Sequence, residues 1–338
     1  MDIVYSSSDA YSECTGVSLY SLYLNNIDIE ELNVNILSTD ISEKNKEALT
    51  EVASSFNRRL NIIDAKQDFI DEANRLHLQL LRGAYNTYSR VVLNRWFSHL
   101  DKIMVIDSDT MVTGSIKGAW ELDINESYLA AVPEIAMYNP YSTQEDPELI
   151  KSLDMYYNMG ICVVNLKKWR EDNIDNLIVT SIERNKPVFK IADQSIINKY
   201  CAGKIARLPL MYNFYSPVHN VSYKTVNRVF NIKTVFSEEE FEHSSKTPAI
   251  IHYFGHSYER PWFKYSVALK KNEYLAIRKE TPWHNKKLGS WRKGGSIIIK
   301  SYDIICYFLL LTSNYEMALR FRYIWGQKVK NLIHKERL

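Results

Sequence analysis

The chain has 338 residues, of which 46% are hydrophobic and 24% are charged, and its formal net charge at pH 7 is +2. These proportions are typical of a globular protein and exclude a disordered chain, and the length suits one large or two modest domains. The four cysteines are widely separated in sequence, which argues against a structural zinc site or a disulfide framework and favours a reducing compartment.

No segment has the composition of a secretory leader or a membrane span. The first residues, MDIVYSSSDAYSE, contain neither a basic start nor an apolar run. The longest apolar run, residues 304–311, is much shorter than the roughly 20 residues that a bilayer requires. We therefore expect a cytoplasmic protein.

Short apolar runs alternate with helix-like stretches over the first third of the chain. The runs predict strands over residues 2–7, 33–39 and 60–65, and from residue 102 onward. Because the segments between them have about the length of crossover helices, we expect a βαβ series with parallel strands. No glycine-rich phosphate loop follows the first strand, so a bound nucleotide would have to be held by side chains and a metal ion.

The run KIMVIDSDTMV, residues 102–112, ends an apolar strand with two aspartates. Its continuous apolar part is typical of a strand that is covered on both faces in a parallel sheet. Because side chains alternate along a strand, Asp107 and Asp109 point the same way and Ser108 points opposite. At an effective dielectric of about 20, two such carboxylates repel each other by about 4 kcal/mol unless one is protonated or a cation lies between them. The alternative is that the pair only caps the following turn.

One more strand and three helices are predicted next, beyond this pair. Residues 133–155 are polar and interrupted by prolines, which predicts a long surface loop containing one helix. A strand over about residues 160–166 leads into a helix that begins at Lys167. Another helix is predicted over residues 192–200, with Asp193 in the first turn, where the helix dipole favours an acidic side chain.

The segment IIHYFGHSYERPW, residues 250–262, predicts a short strand followed by a tight loop between Gly255 and Pro261. Its His252, taken alone, is more often a hydrogen-bonded core histidine than a metal ligand. Only a position beside the two aspartates would favour the interpretation of His252 as a metal ligand.

Four groups of motifs follow one another along the chain: SSSDAY at 6–11, VIDSDTMVTGSI at 105–116, YYNMGICVVNLKKW at 156–169 with ADQSIIN at 192–198, and HYFGHSYERPW at 252–262. Together they resemble the retaining glycosyltransferases of family eight, a group with the GT-A fold that includes bacterial lipooligosaccharide galactosyltransferases and glycogenin. The resemblance implies an α/β structure in which helices flank a Rossmann-like, mostly parallel sheet. It covers residues 1–265, which we expect to form the catalytic domain. The sequence pattern of residues 266–338 predicts a helical, basic and amphipathic extension.

The resemblance implies a metal site. In that family the aspartates of a D-x-D motif and the histidine of an H-x-x-G motif bind Mn²⁺, which implies Asp107, Asp109 and His252 here, with Mg²⁺ as the other candidate. Two carboxylates and one imidazole, completed by diphosphate oxygens, form the oxygen-rich octahedral site that these ions favour. The cation would neutralise the charge that develops on a leaving UDP.

A UDP-sugar is the donor that the resemblance implies. Tyr11 would stack on uracil, and Arg90 would lie by the donor sugar and diphosphate. Gly255 and Arg260 would close over the phosphates. The other residues implied to border the donor are Ser6, Ser8, Ala10, Ser108, Asn158 and Met159.

Two residues of the ADQ segment are implied to be catalytic. Asp193 would accept hydrogen bonds from sugar hydroxyls, and Gln194 would face the reacting carbon. Because an amide is a poor nucleophile, retention of configuration favours departure and attack on the same face of the sugar. The leaving phosphate would then take the acceptor proton, and no side-chain base is required.

Several positions depart from the family pattern. Family members often carry Asp where this chain has Ser8 and Asn where it has Ala10, which removes two polar contacts to the base. Met159 replaces a common Ala and adds bulk beside the sugar, and Ser195 replaces an Asp and lessens the negative charge near the anomeric carbon. Arg260 stands where Lys is typical and would bind phosphate as a fork rather than as a point charge.

The implied activity is transfer of a hexose, glucose or galactose, to a hydroxyl of a glycan, glycolipid or glycoprotein acceptor in cell-envelope or glycoprotein glycan synthesis. One alternative is a non-catalytic protein on the same fold that binds a sugar nucleotide or a glycan. Another is a haloacid-dehalogenase-like phosphatase, whose Asp-x-Asp also follows an apolar strand, although Met111 stands where that motif has Thr or Val. No feature predicts a nucleic-acid partner.

Residues 290–338 are basic, with nine Lys or Arg against three Asp or Glu. Apolar residues recur there every three or four positions, at Ala318, Phe321, Trp325, Val329 and Leu332, with Arg320, Arg322, Lys328 and Lys330 around them. Such a helix can lie on an anionic membrane surface, where each basic side chain adds about 1 kcal/mol. This would place the protein peripherally on the inner face of the cell membrane. The alternative is that the helix packs on its own domain with a solvated charged face.

Overall fold

The computed structural model describes residues 1–75, 85–91, 93–140, 142, 145–185, 189–290 and 297–326. Its strands are β1 (Asp2–Ser7), β2 (Asn33–Ser38), β3 (Leu60–Asp64), β4 (Lys102–Ile106), β5 (Thr110–Val112), β6 (Leu129–Pro133), β7 (Tyr157–Asn165), β8 (Ile205–Arg207), β9 (Phe214–Tyr215) and β10 (Ile250–His252).

The α-helices are α1 (Ser12–Asn25), α2 (Glu43–Ser54), α3 (Lys66–Arg75), α4 (Leu93–Phe97), α5 (Lys117–Trp120), α6 (Pro147–Lys151), α7 (Leu166–Glu171), α8 (Ile174–Asn185), α9 (Ala192–Tyr200), α10 (Tyr223–Phe230), α11 (Glu238–Lys246), α12 (Lys271–Lys279), α13 (Ile297–Leu311) and α14 (Tyr315–Arg320). A π-helical turn, Phe321–Trp325, continues α14, and short 3₁₀ segments include Asp9–Tyr11, Tyr85–Val91 and Leu210–Asn213.

The larger sheet has the strand order β3-β2-β1-β4-β7-β6-β8. Strands β1 to β4 run parallel, β7 is antiparallel to both of its neighbours, and β8 is parallel to β6. The expected α/β fold with a mostly parallel sheet is therefore confirmed. Because β7 reverses direction between β4 and β6, these two strands point the same way and end at the same edge of the sheet.

The continuous apolar run of β4 is explained by helices on both faces of this sheet. Met104 and Ile106 belong to one core cluster, and Ile103 and Val105 belong to a second cluster on the other face. All four side chains are at most 2% exposed. A strand buried on both faces needs apolar residues at every position rather than at alternate ones.

A smaller sheet, with the order β5-β10-β9, begins directly after the two aspartates. Strand β10 is antiparallel to β5, with His252 opposite Thr110, and parallel to β9, with His252 opposite Tyr215. The N–H of Tyr253 donates to the carbonyl of Asp109 at 2.9 Å. This pairing brings a downstream segment to the end of β4.

The predicted boundaries agree closely with the observed ones. Strands β2 and β3 each end one residue earlier than expected, and α9 has the predicted bounds. The strand expected over residues 160–166 begins three residues earlier and ends one residue earlier, as β7. Within the predicted long loop, the described residues form α6 and a short 3₁₀ segment at Ile135–Tyr138.

Residues after 265 pack on the same core as the strands. In α12, the Nε of Arg278 donates to Glu13 of α1 at 2.6 Å, and the ring of Trp283 lies against Gly16. Leu319 and Tyr323 belong to the cluster that also contains residues of β1 and β4. The domain division at residue 265 stays a prediction.

The C-terminal helices combine buried and exposed apolar side chains. Ala318 is buried, and Arg322 forms an ion pair with Glu259 in which both side chains are largely shielded from solvent. The side chain of Trp325 and residues 328–332 of the predicted amphipathic pattern lie outside the described residues. Among the described helices, none combines the length and the apolar composition needed to cross a bilayer.

We expect the Arg322→Met substitution to destabilise the protein strongly. It would leave the carboxylate of Glu259 buried without its guanidinium partner, and breaking a buried pair in this way costs about 3–5 kcal/mol. Arg320→Met is the matched control, because Arg320 pairs with Glu316 at the surface and such a pair contributes at most about 1 kcal/mol. Urea denaturation measures both free energies of unfolding. Equal losses in the two variants would contradict the role of the Arg322 pair.

Candidate functional site

Two carboxylates and one imidazole converge where β4 and β10 end. The Nε2 of His252 lies 3.2 Å from Oδ1 of Asp109 and 3.7 Å from Oδ2 of Asp107. One ligand atom from each of the three residues lies within 4.8 Å of the other two. Their side chains are largely shielded, with 35% of Asp107, 15% of Asp109 and 5% of His252 exposed. Because His252 lies beside the two aspartates, its position favours a metal ligand over a hydrogen-bonded core histidine.

Ser108 points away from the two aspartates, as the alternation of side chains predicts. Its Oγ donates to the carbonyl of Ser6 at 3.2 Å and accepts from Oγ1 of Thr15 at 2.9 Å. These contacts tie the turn after β4 to β1 and α1. The hydroxyl of Ser108 therefore holds the turn, while the carboxylates face the open edge of the sheet.

Arg90 joins two of the predicted acidic residues. One of its terminal nitrogens pairs with Asp107, and the other lies 3.2 Å from Oδ2 of Asp193. The backbone N–H of Arg90 also donates to Asp193 at 3.2 Å. Because the Arg90 side chain is only 8% exposed, its single positive charge is shared between the two carboxylates in a poorly solvated position.

The pKa values in this cluster reflect burial opposed by neighbouring charges. Burial alone would raise the pKa of Asp109, but the imidazole of His252 outweighs it and the pKa is lowered. Burial alone would lower the pKa of His252, but the carboxylate of Asp109 more than reverses this and the pKa is raised. Burial raises the pKa of Asp107, and Arg90 offsets only part of that rise. The three groups thus depend on one another for their charge.

The far side of the His252 ring contacts buried amides. Its Nδ1 lies 3.0 Å from Oδ1 of Asn213, and Nδ2 of Asn213 donates to Oδ1 of Asn158 at 2.8 Å. The same Oδ1 accepts from the N–H of Gly160 at 2.8 Å, and Nδ2 of Asn158 donates to Glu134. The polar atoms of Asn158 are therefore engaged within the protein.

The predicted sugar pocket lies beside the first turn of α9. Asp193 and Gln194 are both buried there, and Oε1 of Gln194 accepts from the N–H of Met159 at 3.1 Å. The side chain of Met159 is 1% exposed and belongs to the second core cluster. Burial raises the pKa of Asp193, and Arg90 opposes that rise only in part.

A carboxylate lies beside Ser195, where the sequence predicts less negative charge. Glu145 is buried and accepts hydrogen bonds from the hydroxyls of Ser195 and Tyr156, the latter at 3.2 Å. The loop before α6 therefore places a carboxylate next to Ser195, the position at which the family pattern has an Asp.

Residues predicted to border the nucleoside lie at the end of β1 and in the 3₁₀ segment after it. Ser6 and Ser8 are partly exposed, and Ala10 is exposed. The Oγ atom of Ser6 is itself buried and has no hydrogen-bond partner among the described residues. The hydroxyl of Tyr11 accepts from Arg260 at 3.4 Å. Burial alone would lower the pKa of Arg260, but Tyr11 and the nearby Asp109 raise it.

The loop after β10 carries the two predicted phosphate contacts. Gly255 has a φ of +135°, a backbone conformation that L side chains rarely adopt, and an added Cβ would meet the carboxylate of Glu259. That carboxylate accepts from the N–H of His256 at 2.9 Å and pairs with Arg322. The C-terminal helices therefore help to hold the loop that positions Arg260.

A divalent cation fits the donor set at the aspartate pair. Carboxylate oxygens and an imidazole nitrogen are ligands that Mn²⁺ and Mg²⁺ accept, and three protein ligands leave the remaining octahedral positions for other oxygens. The Asp107, Asp109 and His252 group is the candidate site found among the described residues.

Glu134, Asn213, Glu145 and Glu259 are site residues that the sequence analysis did not predict. A weak signal exists for Glu134, because it directly follows the apolar run LAAVP of β6, as Asp107 follows β4. Glu259 lies in the HYFGHSYERPW segment and caps the short helical turn that follows His256, whereas no local pattern marks Asn213 or Glu145. Their positions depend on contacts between segments that are far apart in the chain.

Comparison with known proteins identifies the relatives of this chain. The sequence model described as glycosyl transferase family 8 matches residues 2–266. A putative glycosyltransferase of Haemophilus influenzae is 27% identical over 219 residues, which cover 63% of this chain and 63% of that protein. A lipopolysaccharide 1,2-glucosyltransferase of Escherichia coli K12 is 23% identical over 295 residues, which cover 84% of this chain and 79% of that protein. This chain thus spans less than two thirds of the Haemophilus relative.

The fold matches a solved glycosyltransferase. The galactosyltransferase LgtC, solved with donor and acceptor sugar analogues, superposes with a TM-score of 0.67 at 21% identity, covering 85% of this chain and 100% of that one. At this identity the likeness concerns the fold, and the expected GT-A fold is confirmed.

We expect Gly160→Ala to destabilise the protein and displace the His252 ring. A Cβ at position 160 would collide with that ring and with Oδ1 of Asn158, and overpacking of this kind costs about 1–3 kcal/mol. Gly114→Ala is the matched control, because its Cβ would meet Ala249 at an ordinary 3.4 Å. Chemical denaturation measures the free energies of unfolding. A Gly160→Ala protein as stable as Gly114→Ala would contradict the close contact.

Proposed function

Because the chain belongs to glycosyltransferase family 8, we propose that it is a metal-dependent retaining hexosyltransferase. It moves glucose or galactose from a UDP-sugar to a hydroxyl of a glycan, glycolipid or glycoprotein acceptor. The observation that carries this proposal is the convergence of Asp107, Asp109 and His252 beside Arg90 at the carboxyl edge of the sheet. The glucosyltransferase and galactosyltransferase among the similar proteins support a hexose donor and a role in cell-envelope glycans.

The proposed metal ligands are Asp107, Asp109 and His252, and the proposed ion is Mn²⁺, with Mg²⁺ as the second candidate. A bound cation supplies Lewis-acid stabilisation of the diphosphate oxygens, where negative charge develops as the donor is cleaved. Burial raises the pKa of Asp107, but the buried guanidinium of Arg90 favours the ionised carboxylate and offsets part of that rise. The acidic pair therefore remains available for a cation in spite of its low exposure.

The proposed donor site extends from the metal ligands to the end of β1. Tyr11 offers its ring to uracil, and Ser6, Ser8 and Ala10 border the base and ribose. Arg260 lies between Tyr11 and the aspartate pair, where a guanidinium can form a fork with a phosphate.

The proposed sugar site lies between Arg90 and α9. Asp193 accepts hydroxyl hydrogen bonds and is itself held by Arg90, and Gln194 is held by the N–H of Met159. Asn158 and Met159 form the wall behind this pocket, since their side chains are directed into the protein. Glu145, beside Ser195, adds negative charge behind Gln194.

The proposed route to retention is departure and attack on one face of the sugar. Gln194, which would face the anomeric carbon, carries an amide and cannot form a stable glycosyl ester as a carboxylate would. The acceptor hydroxyl therefore attacks from the side that the diphosphate leaves, and its proton passes to the departing phosphate oxygen. The chain's side chains orient both substrates and exclude water.

We expect the purified protein to transfer or hydrolyse one member of a panel of UDP-glucose, UDP-galactose and their N-acetyl forms, and to need Mn²⁺ for this. Asp109→Asn should abolish turnover, because it weakens the cation site. Asp172→Asn, a surface carboxylate that pairs with Lys168, should leave turnover unchanged. Release of UDP and anomeric proton NMR of the product measure activity and retention.

Two results would contradict the proposal. Turnover that is unaffected by EDTA would exclude the metal dependence. Binding of a UDP-sugar without turnover in any acceptor mixture would favour the non-catalytic binding protein. The phosphatase alternative is already excluded by membership in the glycosyltransferase family.

We also propose that α13 attaches the protein peripherally to an anionic membrane surface. Ile304, Ile305, Phe308 and Leu311 of α13 are each at least 44% exposed. Such side chains are costly in water. The basic residues of 290–338 other than Arg322, which pairs with Glu259 inside the protein, supply positive charge for anionic lipid headgroups. Membrane docking suits a lipid-linked acceptor.

We expect the protein to float with vesicles that contain phosphatidylglycerol and much less with neutral phosphatidylcholine vesicles. Replacing Phe308 and Leu311 by Ser should reduce the floating fraction several-fold, because it removes the apolar contacts. Leu177→Ser is the matched control, since Leu177 is 46% exposed on α8 and should float like the wild type. Unchanged flotation of the double variant would exclude this surface.

A further inference from the structure

We infer that Asn213, Asn158 and Glu134 form a hydrogen-bond relay that orients His252 for the cation. The relay holds the ring with its Nδ1 proton directed inward and its Nε2 directed at the two aspartates. This inference rests on the proposed metal site and assigns positioning roles to residues that do not contact the ion. The direction of each hydrogen bond in the relay follows from the one before it.

The relay begins at a backbone donor. The N–H of Gly160 lies 2.8 Å from Oδ1 of Asn158, and an N–H can only donate, so the oxygen of this amide must face Gly160. The NH₂ group of Asn158 then faces Glu134, whose carboxylate also accepts from the N–H of Ala136 at 3.1 Å. The amide of Asn158 is therefore fixed at both ends.

Asn213 passes this orientation to the histidine. Because Oδ1 of Asn158 is an acceptor, the group of Asn213 that lies 2.8 Å from it must be the NH₂. Oδ1 of Asn213 then lies 3.0 Å from Nδ1 of His252, so Nδ1 carries a proton and donates. A flip of Asn213 would place NH₂ against the ring and two oxygens against each other.

The consequence is that Nε2 is the nitrogen whose lone pair can bind a cation. A metal-bound histidine commonly donates its other N–H to a fixed acceptor, which sets the tautomer and the ring orientation. Nε2 of His252 already lies 3.2 Å from Oδ1 of Asp109. The relay thus presents an imidazole lone pair beside the aspartate carboxylates.

Packing restricts the ring in the same orientation. His252, Asn213 and Asn158 are each at most 9% exposed, so no bulk water replaces a lost partner. The ring of Phe254 packs edge-on at 4.5 Å, and position 160 leaves no space for a Cβ beside the imidazole. A rotated ring would lose its hydrogen bond and collide with its neighbours.

The test measures Mn²⁺ affinity in the presence of UDP by titration calorimetry. Asn213→Ala removes the acceptor for Nδ1 and should weaken Mn²⁺ binding about 10- to 100-fold, the usual effect of losing such a partner. Asn213→Asp keeps an acceptor oxygen for Nδ1 but loses the NH₂ that donates to Asn158, so it should lose less affinity than Asn213→Ala. Asn26→Ala is the control for loss of a buried amide, because Asn26 bonds Ile116 and Leu22 away from the site, and it should bind Mn²⁺ like the wild type.

A spectroscopic readout tests the orientation directly. Histidine labelled with ¹⁵N shows in long-range proton–nitrogen spectra which ring nitrogen carries the proton, and Mg²⁺ with UDP loads the site without paramagnetic broadening. The wild type should show a protonated Nδ1 for His252, and Asn213→Ala should lose this signal or exchange it rapidly with solvent.

The outcomes separate this inference from the proposed function. A wild type that binds no Mn²⁺ would overturn the proposed metal site. If the wild type and Asn213→Ala bind Mn²⁺ with the same affinity, the relay alone is overturned. A proton on Nε2 of His252 in the Mg²⁺-loaded protein would also overturn the relay.

Discussion

The close approach of Asp107 and Asp109 is the constraint on which the site depends. Two poorly solvated carboxylates on one side of a strand end repel each other, so the fold must supply positive charge around them. It does so with the guanidinium groups of Arg90 and of Arg260, which lies in the loop after β10, while His252 of β10 lies within hydrogen-bond distance of Asp109. The larger sheet, the smaller sheet and the loop after β10 are all needed to satisfy this requirement.

The protein holds these charged groups through buried contacts with the rest of the chain. On the inner side, the amides of Asn158 and Asn213 connect His252 to Glu134 at the end of β6. On the outer side, the C-terminal helices contact the loop after β10 through the pairs Arg322–Glu259 and Asp303–His256, the latter at 2.8 Å. The proposed membrane-facing helix α13 therefore touches the loop that carries Arg260 directly. These two ion pairs thus join the proposed membrane-docking helix and the proposed donor site.

Single substitutions in a motif do not fix the charge of the site. Ser195 stands where the family pattern has a carboxylate, yet Glu145 from a separate loop places its carboxylate against the Ser195 hydroxyl. Asn158 and Met159 match positions implied to border the sugar, but their side chains are directed into the protein. A motif gives the position of a residue along the chain, whereas the direction of its side chain depends on which distant groups can bond or pack with it.

The sequence by itself determined β1 to β4, most of β7, the start of β10, the α9 helix and the identity of the acidic pair, because apolar runs and side-chain alternation are local properties. It did not predict β5, β6, β8 or β9. The resemblance of its motifs also determined the family. Only the tertiary structure decided that β7 runs antiparallel, so that β4 and β6 end together, and that β10 pairs with β5 in the register that sets His252 beside Asp109. Glu134, Asn213 and Arg322 acquire their roles through contacts across 24, 39 and 63 residues of chain, and no local pattern encodes such pairings.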